Sequence, residues 1–198
     1  MEQLGLGLLG VGLGAGLALL ARQTLRAAQA RGGDRRGYFD RCAETLGDPR
    51  LGEGSAGFPR LAGRYGGQEF DLQAMPDTLT FRKLPALWVL VTLPAPLPLK
   101  ATLDLMIRPT GVEPFSHFHT LSEQIAPPAG FPEDCALRTD APEALPPEDF
   151  LEPHLGLFAD PSVKELILSP KGLRISFLAE EANRGRYLIF RDAELGRT

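Results

Sequence analysis

The run from Leu4 to Ala21 (LGLGLLGVGLGAGLALLA) constrains this chain more than any other feature, because it contains no charged or strongly polar side chain. As a helix rising ~1.5 Å per residue it reaches roughly 27 Å, close to the hydrocarbon thickness of a bilayer. A secretory signal opens on basic residues and ends on a small-x-small cleavage site. Here the chain opens Met1-Glu2-Gln3, and the nearest such site, Ala28-Gln29-Ala30, lies beyond Arg22 and Arg26. A helix buried in a globular domain carries a polar stripe, and this one has none. The run therefore predicts an uncleaved transmembrane anchor over residues 1–21.

The flanks predict its orientation. Arg22, Arg26, Arg31, Arg35 and Arg36 follow the run and no basic residue precedes it. Basic residues stay on the cytoplasmic side. The expected topology is single-pass in the inner or plasma membrane, N-terminus out, with the remaining domain cytoplasmic and these arginines on the anionic membrane surface. Gly10 pairs with Gly14 and Gly12 with Gly16 in overlapping G-x-x-x-G spacings. Small residues four apart let helix backbones approach closely in lipid. The expected partners are the bilayer itself and, through these glycines, another membrane protein or a second copy of the chain.

Of the 198 residues, roughly 150 remain for one domain with its own core. Net charge is −4, and no Lys/Arg run is interleaved with aromatics, so nucleic acid is not an expected partner. Cys42 and Cys135 are the two cysteines. Two are too few for a structural zinc site, and both are read as free thiols.

Residues 22–59 are expected to hold juxtamembrane helices and a linker. Gly32-Gly33 interrupts the first helix, and Asp34 can cap a second that runs to about Leu46 with Phe39, Cys42, Ala43 and Leu46 on one face. The stretch Asp48 to Pro59 (DPRLGEGSAGFP) is rich in Gly and Pro and reads as the linker. Residues 60–198 then form the domain. A hairpin turns at Gly66-Gly67, Leu87 to Leu93 (LWVLVTL) is a central strand, and Ala101 to Arg108 is another. Residues 109–149 are proline-rich, with a short strand at Cys135 to Thr139, and pack onto the sheet as an irregular segment. A short helix follows from Pro147 to about Phe158. Glu165 to Leu168, Leu173 to Leu178 and Arg186 to Arg191 close the chain as a three-stranded meander, its first turn at Ser169-Pro170-Lys171-Gly172. The predicted fold class is α+β: a single transmembrane helix, then a mainly antiparallel sheet with a few short helices.

Chemistry-bearing patterns are few. Ser116-His117-Phe118-His119 contains H-x-H; if extended, it turns His117 and His119 to one face as metal ligands. A third ligand would come from Glu113, Glu123 or His154. Gly52 to Gly57 matches G-x-G-x-x-G, but Phe58-Pro59 follows where a helix is required, so the dinucleotide reading fails its context. No G-x-S-x-G or comparable nucleophile motif occurs. No cofactor is expected. The expected role is a non-enzymatic accessory or scaffold subunit docking on the cytoplasmic face of a membrane complex. The alternatives are a membrane-tethered metal protein or enzyme using His117 and His119, and a ligand-sensing domain with the proline-rich segment as a cover over the sheet.

Overall fold

Alternation of apolar and polar residues in successive segments builds one twisted sheet, in which each strand turns its apolar side chains to the same face. The computed structural model describes residues 22–23, 35–78, 84–111, 113–185, 187 and 195. Among the described residues nine strands are formed: β1 (Gly47–Glu53), β2 (Pro59–Tyr65), β3 (Gln68–Asp77), β4 (Ala86–Leu93), β5 (Leu103–Ile107), β6 (Glu123–Ile125), β7 (Cys135–Thr139), β8 (Val163–Ser169) and β9 (Gly172–Glu181). Their order across the sheet is β1-β2-β3-β4-β9-β8-β5-β7-β6. Every neighbouring pair is antiparallel.

The register explains the core. One residue from each strand lies in a single row, Leu51–Leu61–Leu72–Val91–Ile175–Leu166–Leu105–Leu137–Ile125. All nine are aliphatic, so a continuous apolar face crosses the whole sheet. Two separate covers lie on it. Over β2, β3, β4 and β9, Phe39 and Phe58 are buried, with Tyr38, Ala43 and Leu46 packed beside them. These flank the short helix α1 (Asp40–Thr45). Over β5, β7 and β8, Leu151 is buried, and Phe150, Leu157 and Phe158 of the 3-10 turns at Glu148–Phe150 and Glu152–Ala159 pack against the same cluster.

One step along each strand the second face appears. Its row reads Arg50–Ala62–Asp71–Thr92–Arg174–Ile167–Asp104–Arg138–Gln124. The proline-rich stretch after β5 crosses this face, where Phe115 and Phe118 are buried and Phe115 stacks on Trp88 at 4.7 Å between ring centroids.

Several expectations are met and others corrected. The hairpin turns at Gly66 and Gly67, whose positive φ values of 57° and 82° suit the twist of a two-residue loop. The β8–β9 turn depends on Gly172, at φ 141°, where a Cβ would overlap the Leu93 carbonyl oxygen. Gly172→Ala is expected to cost roughly 2 kcal/mol or more, read as a lowered urea midpoint at unchanged slope. The segment expected as a linker instead forms β1 and a 3-10 turn at Ser55–Gly57, because β2 offers it an open edge that outweighs its Gly/Pro content. The third meander strand has no place beside β9, whose two edges are taken by β4 and β8. Tyr187 is helical, and its N–H donates to the Asn183 carbonyl; the other residues of the expected strand, 186 and 188–191, lie outside the described residues. β6 was not anticipated.

Among the described residues no helix is long and apolar enough to cross a membrane. Helix α1, at six residues, reaches roughly 9 Å against ~30 Å of hydrocarbon. The α+β fold led by a transmembrane helix is therefore corrected to a mainly antiparallel β-fold with short helical turns. The single-pass inner-membrane placement, with its N-out orientation, is withdrawn with it. The run from Leu4 to Ala21, with Gly10, Gly12, Gly14 and Gly16, lies outside the described residues.

Candidate functional site

The polar face and its proline-rich cover bring buried charge together with open space. Strand β5 carries Asp104 into the middle of that face, opposite Arg138 on β7 and Ile167 on β8. Ile167 in turn lies opposite Arg174 on β9. Asp104 and Arg174 thus flank one isoleucine, and both line a groove of about 760 Å³ that also takes in His117, Leu121 and Asp140.

Glu165 anchors the cover. Its side chain is fully buried because β8 sends it up between β9 and β5, directly opposite Ser176 and Met106. Ser116 of the cover donates to Glu165 Oε1, and Ser176 donates to Oε2 at 2.8 Å. Ser116 Oγ also accepts the Phe118 N–H at 2.9 Å. Arg174 Nη2 stands 3.7 Å from Glu165 Oε2 and reaches the Phe115 carbonyl at 3.4 Å. Arg138 closes the far side: its Nε and Nη2 donate to the Leu121 carbonyl at 2.9 and 2.6 Å, and its guanidinium lies over the Phe118 ring. A bulge at Lys164, where β8 slips against β9, gives the cover a further tie. Lys164 Nζ donates to the Arg108 carbonyl and stands 3.4 Å from Glu113 Oε1.

Asp104 differs from all of these. It is 1 % exposed, and among the described residues its Oδ1 has no hydrogen-bond partner, an arrangement that is costly for a buried acceptor. Burial pushes its carboxyl up to about 8, the neighbouring Glu165 adds to the rise, and Arg174 works against it. Burial also raises the Glu165 carboxyl, against the hydrogen bonds from Ser116 and Ser176 and the charge of Arg174. Asp104 and Arg174 of the groove lining therefore interact with a second carboxyl, Glu165, which does not itself line the groove, a set that favours keeping one carboxyl protonated.

The expected site residues are placed as follows. His117 and His119 do not lie on an extended segment. His117 precedes a 3-10 turn at Phe118–Thr120 that contains His119. Such a turn advances about 120° per residue, which sends side chains two apart to different sides. Both are exposed; His117 lines the groove, and His119 stacks edge-on against Phe118 at 5.2 Å. Of the suggested third ligands, Glu113 accepts hydrogen bonds from Thr110 and Gly111, and His154 stacks on Phe150. Among the described residues no group of three or more His, Cys, Asp or Glu is placed to hold a metal ion.

Of the arginines expected at a membrane surface, Arg35 packs on the domain instead: its Nη1 donates to the Ala56 carbonyl at 3.1 Å and its guanidinium covers the Phe58 ring at 5.2 Å. Arg22 and Arg36 are exposed, and Arg26 and Arg31 lie outside the described residues. Cys42 and Cys135 are both free thiols, the first exposed and the second buried.

Sequence reasoning missed Asp104, Glu165 and Arg174. One sign was available: Asp104 interrupts the aliphatic strand LDLMI, and Glu165 precedes LIL in β8. A carboxyl inside an otherwise apolar strand is rare unless it has a task. Only the register shows that all three share one face. Compared with known proteins, the chain matches no protein-family model, no curated protein and no solved structure.

Proposed function

We propose that this β-domain is a small-ligand-binding module, with the groove beside Asp104 as its site and the proline-rich segment as its cover. The observation that carries the reading is the unpartnered Oδ1 of Asp104 on the wall of a groove of about 760 Å³, a volume within the range of small-molecule sites. The walls are mixed as such sites are: Pro94, Leu121, Ile167 and Leu173 are apolar, while Thr92, Asp104 and Arg174 are polar. Binding suits the arrangement better than turnover. Glu165 does not line the groove and is held by two serines, so it secures the cover. The docking role expected from the leading run rests on residues outside the described ones, and the metal role loses the shared face of His117 and His119.

A melting-temperature screen of the full-length chain against a broad set of small polar metabolites tests this. A ligand present at a hundred times its Kd is expected to stabilise the protein by about 2.7 kcal/mol. The same ligand should give no shift in Ile167→Trp, which fills the groove floor. The proposal fails when no compound shifts the unmodified protein, or when the shift survives in the filled variant.

A further inference from the structure

The electrostatics of the groove floor narrow the ligand, given that the groove is a binding site as proposed above. Arg138 is engaged away from Asp104, and Arg174 is engaged through Nη2 while its Nε has no hydrogen-bond partner among the described residues. Arg138, directly across from it, turns its guanidinium to the Leu121 and Ser122 carbonyls. Arg174 is held by Glu165 and the Phe115 carbonyl. At the rim, Lys171 and His117 are exposed, and the remaining acidic group, Asp140, accepts only the Thr102 N–H, at 2.7 Å. When Asp104 is ionised, the single charge of Arg174 is shared between it and the Glu165 carboxyl, which lies outside the groove lining. One positive charge and one hydrogen-bond donor are missing, and both are missing at Asp104 Oδ1.

We propose that the groove takes a cationic nitrogen ligand, a primary ammonium or an amidinium on a short apolar body, with Asp104 as its counter-ion and Asp140 as a second carboxylate at the rim. The charged nitrogen donates to Asp104, and such charge-assisted bonds are the strong ones. Leu121, Ile167 and Pro94 accept the apolar body. Binding carries a definite proton balance. In the empty groove Asp104 keeps its proton at neutral pH, since burial holds its carboxyl up to about 8. The incoming cation favours the carboxylate, so the Asp104 O–H bond breaks, its proton passes to the buffer, and the charge-assisted contact with nitrogen forms. Affinity therefore rises about tenfold per pH unit up to about pH 8 and is flat above it. A neutral or anionic ligand that uses protonated Asp104 as a donor shows the opposite slope.

Isothermal titration of the full-length chain with n-butylamine and with benzamidine decides this, at pH 6 to 9 and in two buffers of different ionisation heat. The uncharged counterparts n-butanol and benzamide serve as controls. The expected result is binding by one or both cations, release of close to one proton per ligand at pH 7, and at least a tenfold preference over the uncharged controls. Asp104→Asn should lower the affinity at least thirtyfold at pH 8, and the proton release on the unmodified protein needs no variant. Equal binding of the controls, affinity that falls as pH rises, or amine binding that releases no proton and survives Asp104→Asn would each overturn the cationic class. Failure of both cations alongside a groove ligand from the metabolite screen overturns the class and leaves the binding module standing. Failure of the cations and of the screen overturns both.

Discussion

Asp104→Asn is expected to make the protein more stable than its parent above pH 8, and to flatten its dependence of stability on pH. The Asp104 carboxyl stands at about 8 in the folded protein against a usual value of 3.8. Between those two values the folded state holds a proton that the unfolded chain has released. Folding then takes up a proton, and stability falls as pH rises across that window. Below about pH 4 both states are protonated and the penalty vanishes; above 8 it is complete. At ~1.4 kcal/mol per unit the loss is on the order of 6 kcal/mol once Asp104 is ionised. Asparagine keeps the shape of the protonated acid and cannot ionise, so the difference between variant and parent should be small at pH 4 and largest at pH 8 to 9. Urea denaturation of both proteins at several pH values measures it. An unchanged difference across the range removes Asp104 from the account of the groove.

Leu105→Ala is expected to give the largest loss of stability of any single truncation near the site. Leu105 has no exposed surface and lies at a crossing point of the apolar row, directly opposite both Leu166 and Leu137. Truncation leaves a cavity beneath a rigid sheet covered by the turns around Leu151, where collapse is hindered, and such sites lose about 3 to 5 kcal/mol. Leu51→Ala provides the comparison. It occupies the same row but stands 56 % exposed on the edge strand β1, and it should cost roughly 0.5 kcal/mol or less. Chemical denaturation separates the two, and near-equal losses would show that the row does not act as a continuous core.

The contrast between these leucines shows how far the residues alone carry the fold. The β2–β3 hairpin, β4, β7 and the β8–β9 turn were legible because local chemistry decides them: Gly66-Gly67 admits positive φ, LWVLVTL suits a buried strand, and Pro170-Lys171-Gly172 suits a tight turn. β1 was not legible, since its Gly/Pro-rich sequence forms a strand only where β2 supplies hydrogen-bond partners. The place expected for the third strand of the meander, beside β9, is taken, and all of that segment but Tyr187 lies outside the described residues. RYLIFR has strand composition, but β9 already has a neighbour on each side.

The candidate site divides in the same way. That His117 and His119 carry chemistry could be read from their identity, but whether they share a face depended on a backbone conformation that proved to be a 3-10 turn. Asp104, Glu165 and Arg174 are 9 to 70 residues apart in sequence, and no short motif links them. The sequence by itself determined the alternation that gives each strand an apolar and a polar side, because that period is a local property of extended backbone. Tertiary structure alone decided which polar sides coincide. Strand order and register are settled by burying the aliphatic row as one surface, and shifting any strand by one residue would turn its leucines outward. That same constraint brings the two carboxyls and the guanidinium together on the opposite face.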